Sequence, residues 1–181
     1  MSPENTTQLV LALLAAALAF AAMGWLPNGS SVGVPLSALA LAAAAVVAAV
    51  ADELSAGRVA ITILVGLCGL LAVVGGGPAT TRIFAIIDRQ DDVPQTLDQA
   101  GEVLRGGAWI GALERLAVFA GLAAGFPEGV AVVLALKGVG RFPDLRSEGR
   151  GGAATERFII GTFTSVLWAA ACAGMVALVL R

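Results

Sequence analysis

Apolar residues come in blocks along this chain rather than in alternation with polar ones. Six blocks, separated by short polar clusters, approach or reach the length a helix needs to cross the roughly 30 Å hydrocarbon core of a bilayer. The first covers residues 8–26. Thr6 and Thr7 are candidate caps for it, and Trp25 falls at its far end, where an amphipathic ring prefers the membrane interface. A turn, PNGSSVG, leads to a second block, 34–51, nearly all alanine and valine, with Pro35 near its start, where a missing N–H costs nothing. Asp52, Glu53 and Arg58 mark a short polar loop before the third block, 59–74, which Gly75-Gly76-Gly77-Pro78 is expected to stop.

A connector, 79–107, follows. Its first part, RIFAIIDR, is short, apolar and bracketed by Arg82 and Arg89, which suits a segment lying in the interface. Its second part reads as a surface helix: Thr96 is a candidate cap, and Leu97, Ala100, Val103 and Leu104 fall at helical spacing. The plain reading of this stretch is a cytoplasmic connector; the sharper one is a gate or a platform for a partner. The remaining blocks are 108–125, with Trp109 at its start, 128–140 after a tight FPEG turn, and 154–180 after the charged loop RFPDLRSEGRGG.

Composition fixes the solvent. The chain has 181 residues, 58% hydrophobic and 13% charged, with mean hydropathy +0.89. A water-facing globule cannot hide that much apolar surface. The predicted fold is all-α: a single-domain integral membrane bundle of about six transmembrane helices plus an amphipathic interfacial or cytoplasmic segment. Net charge is −2, with no basic cluster dense enough for nucleic acid. Histidine and tyrosine are absent. That disfavours catalysis and transition-metal binding, and no cofactor is expected. Cys68 and Cys172, in the middle of apolar blocks, read as small packing residues. Met1 to Thr7 contains Glu4 and no basic residue, so the first block is expected to be a spanning helix and not a cleaved signal. GGGP lacks the following GK[ST] of a phosphate loop, and the spacing of Asp88, Asp91 and Asp92 fits no calcium loop.

With six spans, both termini share one side. The loops on the other side hold Arg82, Arg89, Arg105, Arg141, Arg146 and Arg150, against Arg58 and Arg181 on the terminal side. The positive-inside bias then places both termini outside, in a bacterial inner membrane. The two three-helix halves would be inverted relative to each other, as in many transporters, although no residue-level similarity links them.

The candidate chemistry lies in the charges of the last three blocks: Glu114, Arg115, Lys137, Arg141, Glu156 and Arg157. Glu114 is about 8 Å deeper than Trp109 along a helix, and Arg115 one step deeper. An unpaired charge near mid-membrane costs about 2.5–3.5 kcal/mol on insertion scales. These groups must therefore face one another or a wet cavity. Glu114 with Lys137 and Arg115 with Glu156 is one pairing the sequence allows. Stripes of small residues agree with inward faces: Gly111, Val118, Gly121 and Gly125 in line with Glu114, and Gly161, Ser165, Ala169 and Cys172 on the last helix. Positive groups outnumber negative ones among the six, which favours an anion such as a phosphate or lipid headgroup. The alternative is a self-neutralising network that only fixes helix register. Thr162, Thr164 and Ser165 are hydroxyls available to such a site, or to the preceding turn's carbonyls.

The order of Leu113-Glu114-Arg115, of an A-L-K-x-x-x-R-F run ending at Phe142, and of ERFIIGTFTS from Glu156 to Ser165 resembles a family of uncharacterised bacterial and phage-associated membrane proteins. That pattern has a serine where Gly138 stands and a tyrosine where Arg157 stands, and it does not reach the first three helices. The resemblance implies no known activity. The expected function is a small transporter or channel-like protein, not an enzyme, contacting membrane lipid, taking a small anion or solute and forming a homo-oligomer. The rival expectation is a non-catalytic scaffold or accessory subunit whose connector docks a partner.

Overall fold

Runs of alanine, leucine and valine without interior polar groups satisfy their backbone only within themselves, and in lipid that means helices. The computed structural model describes residues 3–51, 57–88, 104–147 and 151–180. Among these, all regular structure is helical: α1 Pro3–Met23, α2 Ser30–Val50, α3 Arg58–Ile87, α4 Leu104–Ala123, α5 Glu128–Ser147 and α6 Gly151–Val179. Four of the helices, α1, α2, α3 and the Thr155–Val179 part of α6, are long and apolar enough to cross a membrane. The chain is a membrane-type helical bundle.

Several boundaries differ from the sequence expectation. The most consequential is α3, which runs straight through Gly75-Gly76-Gly77-Pro78 and on to Ile87. The RIFAII part of the expected interfacial segment is thus the last turns of a 30-residue helix. The Thr96-capped surface helix, with Asp91 and Asp92, lies outside the described residues. α2 begins at Ser30, so Pro35 sits inside it and leaves Ser31 O without the usual helical donor. α5 continues to Ser147 through the stretch expected to be a charged loop.

Two turns show why the short connections work. Between α1 and α2, Asn28 takes a left-handed conformation (φ 59°), which asparagine tolerates better than most residues. After α4, Gly125 (φ 73°) closes a Schellman motif: Phe126 N donates to Gly121 O at 2.8 Å and Gly125 N to Leu122 O at 3.1 Å.

Small and medium side chains fill the centre: Leu14, Ala17 and Ala21 of α1, Ala44 and Ala48 of α2, Cys68 and Leu71 of α3, and Ala169, Cys172 and Met175 of α6. Both cysteines are free. Large apolar residues face outward on every helix, among them Leu39, Leu70, Leu113, Leu136 and Leu167. This inside-out distribution matches a lipid solvent. Lipid tails are as apolar as leucine, so close packing and polar links, not transfer from water, must hold the helices together.

Register follows from paired contacts. The end of α1 meets α3 near Pro78, where Gly24 approaches its ring and Trp25 reaches Val74. α3 therefore runs beside α1, and its last turns, Ala79–Ile87, extend about 14 Å beyond the α1–α2 turn. α6 runs antiparallel to α3 along its C-terminal half: Arg157 meets Asp88, Gly161 meets Phe84, and Trp168 meets Leu71.

Candidate functional site

Pro78 has no N–H, so Val74 O loses its helical donor. The indole Nε1 of Trp25, from the end of α1, donates to that carbonyl at 2.9 Å. One residue earlier, Val73 O accepts from Nε of Arg115 on α4 at 3.1 Å. Leu71 O accepts from Nε1 of Trp168 on α6 at 3.0 Å. Side chains from three helices thus converge on one turn of α3. The glycines make room for them. A Cβ at Gly75 would lie 2.5 Å from the Trp168 ring, one at Gly76 would collide with the Arg115 side chain, and one at Gly77 would lie 3.0 Å from the Trp25 ring. A run that stops a helix in water is here a docking turn, because neighbours supply the donors that water would otherwise provide.

Arg115 is the buried charge of the molecule's described part, 7% exposed. Besides Val73 O, its Nη1 donates to Ser165 Oγ on α6 at 3.4 Å. Neither acceptor carries charge. The expected pairing of Arg115 with Glu156 does not form: Arg115 lies level with Ser165, and Glu156, two turns or more away toward the start of α6, is exposed. Glu114 precedes Arg115 by one residue, about 100° round the helix. It turns to α5 instead, where its carboxylate accepts from Nζ of Lys137; the two side chains are 17% and 21% exposed. The expected Glu114–Lys137 pair is therefore present.

Between α4, α5 and α6 these groups line a cleft with Thr162, Ser165 and the apolar Val118, Val133, Leu134 and Val166. Its water-accessible space is about 10 Å³, near the minimum for one water molecule. Thr164, like Thr62, Thr80 and Thr81, bonds the carbonyl four residues earlier. Thr162 differs: its Oγ1 is shielded from solvent and finds no hydrogen-bond partner among the described residues. A buried hydroxyl left so costs about 1–3 kcal/mol.

Arg157 is not part of this cleft. It sits on the extension of α6 beyond the α1–α2 turn, pairs with Asp88 at the end of α3 and lies over the Phe84 ring, 5.4 Å from its centroid. Arg141 lies in α5, but its side chain is outside the described residues. Of the six candidate residues, then, Glu114, Arg115 and Lys137 come together, Glu156 and Arg157 stand apart at the helix ends, and Thr162 and Ser165 join the first group. Sequence reasoning missed Trp25 and Trp168 as donors to α3, and the GGGP turn as the place where they and Arg115 dock. The one sequence signal for them was the glycine-proline run itself.

No protein-family model, no curated protein and no solved structure matches the chain.

Proposed function

We propose that the chain is a small six-span transporter or channel-like protein of a bacterial inner membrane, with a charged site for a small anion between α4, α5 and α6. The observation that carries this reading is Arg115. It is a buried cation whose bonded acceptors are both neutral, beside a Glu114–Lys137 pair that already neutralises itself, so the cleft holds an excess of positive charge. In a water-poor setting such a charge attracts an anion far more strongly than it would in water.

α4 and α5 carry more charge than an apolar span normally does. Their outward faces nevertheless suit lipid: Trp109, Ile110, Leu113 and Leu116 on α4, and Val132, Leu136 and Val139 on α5, are exposed, while Glu114, Arg115 and Lys137 turn inward. That distribution supports spans four and five. The arginine-rich loops would face the cytoplasm at the end holding the α1–α2 turn, and the cleft would open near that face. The α1–α2 turn sets its depth, since Trp25 meets α3 one residue from the carbonyl that Arg115 holds.

A scaffold remains the second reading, and one observation favours it: Arg115 is spent partly on holding α3, and the cleft is narrow. Reconstituted vesicles separate the two. Under the transport reading the wild type carries an anion flux that Lys137→Ala abolishes while the variant still inserts. Absence of flux for every anion tried, with a lowered melting temperature for Lys137→Ala, would leave only the scaffold.

A further inference from the structure

We infer that the cleft between α4, α5 and α6 is a site for a single monatomic halide, held by the hydroxyls of Thr162 and Ser165 and by the cations Arg115 and Lys137. The inference rests on the reading of this cleft as an anion site and narrows it to one ligand class. Three independent features lead there: the balance of donors over acceptors, the space, and the charge.

The lining is rich in donors and poor in acceptors. Its one carboxylate, Glu114, is occupied by Lys137. Ser165 Oγ accepts from Arg115, so its own proton is free to point elsewhere. Thr162 Oγ1 is buried and lacks the back-bond that Thr164, two residues later, makes to Ile160 O. Thr162 and Ser165 are three residues apart on α6 and so share one face. Arg115 uses two of its N–H groups on Val73 O and Ser165 Oγ, and a guanidinium has five. Lys137 retains further N–H groups beyond the one given to Glu114. A ligand that only accepts hydrogen bonds satisfies all of these at once. A cation satisfies none of them.

Size selects within that class. Space of about 10 Å³ takes one sphere of water's dimensions; fluoride matches that size, chloride is somewhat larger, and a phosphate, a carboxylate or a lipid headgroup exceeds it further. The remaining walls are valine and leucine, which offer a polyatomic anion's other oxygens no donors. Two cations against one carboxylate give the lining an excess of one positive charge, which a monovalent ion cancels and a divalent one reverses.

The test uses the full chain in detergent. Thermal unfolding is followed in sodium fluoride, chloride, iodide, phosphate and gluconate at equal ionic strength, for the wild type and for Thr162→Val, which keeps the shape and removes the hydroxyl. Fluoride and chloride are expected to raise the wild-type melting temperature. In Thr162→Val the concentration giving half the effect should rise roughly tenfold or more, as expected when one hydrogen bond to a charged ligand is lost. Comparing the two proteins removes general salt effects. Equal responses in both overturn the proposal, as does a wild-type response to phosphate equal to that for chloride. If Thr162→Val does not fold, chloride NMR line broadening by the wild type decides, with Ser165→Ala as the second variant: broadening that Ser165→Ala weakens supports the site, and no broadening, or broadening that Ser165→Ala leaves unchanged, overturns it. Halide binding without flux leaves this site standing and removes the transport reading. Flux of a larger anion without halide binding does the reverse.

Discussion

The α1–α2 pair and the turn of α3 at Gly75–Pro78 solve the same problem, joining apolar helices in an apolar solvent, by different physics. In the first, shape does the joining. Ala17 and Ala21 of α1 and Ala40 and Ala44 of α2 are all buried in the shared core, and Gly33 lets the start of α2 approach the backbone of Phe20 and Gly24. One buried polar link crosses it, Ser37 Oγ donating to Ala17 O at 2.8 Å. In the second, donors meet carbonyls: Trp25, Arg115 and Trp168 each reach an acceptor on α3. The first region is stiff in the sense that only backbone could yield. The second is held by side chains that can rotate, one of which also lines the polar cleft.

Substitutions at glycine sharpen that contrast. Gly33→Ala should have the largest effect. Its Cβ would lie 2.5 Å from Phe20 O and 3.0 Å from Gly24 N, and backbone cannot step aside, so a loss of about 3 kcal/mol, the upper end for overpacking, is expected in thermal or denaturant unfolding. Gly76→Ala should come next, at about 1–3 kcal/mol, because the Arg115 side chain it displaces can rotate away. It should also disturb the cleft, reducing any anion response, which Gly33→Ala in refolded protein should not do. Gly66→Ala and Gly174→Ala serve as controls: their Cβ atoms meet nothing within 4 Å, so they should be neutral or slightly stabilising. If Gly76→Ala were as harmless as these, the docking role of the turn would be wrong.

What could be read in advance follows the same division. The helix blocks and the inward turn of Glu114 and Lys137 follow from periodicity and insertion cost, both local properties of the chain, while their pairing is one that the sequence allows without selecting. The passage of α3 through Gly75–Pro78 does not. In the sequence, GGGP has the composition of a stop, and what reverses that reading is three donors lying 49, 42 and 97 residues away. The same applies to Arg115. Its charge demands a partner, and a carboxylate is the natural expectation, but the backbone carbonyl of Val73, 42 residues away, accepts instead, and no local pattern announces it. Thr162 is a finer case. Alone it is indistinguishable from Thr164, yet in the fold one hydroxyl bonds the carbonyl four residues earlier and the other does not.

The smallest expected effect tests the mechanism most directly. Trp25→Phe keeps a ring against Gly77 but removes the indole donor from Val74 O, and should destabilise by about 1 kcal/mol. Pro78→Ala keeps the Cβ that faces Gly24 and restores a backbone N–H four residues after Val74. In that background Val74 O has its helical donor again, so Trp25→Phe should cost much less. A double-mutant cycle should therefore give a coupling of about 1 kcal/mol between two residues whose side chains need not touch. Additive effects would mean that the indole bond is incidental and that α3 passes through the glycine-proline run for some other reason. Coupling of the expected sign would mean that the helix survives its proline because the turn after α1 supplies the missing proton.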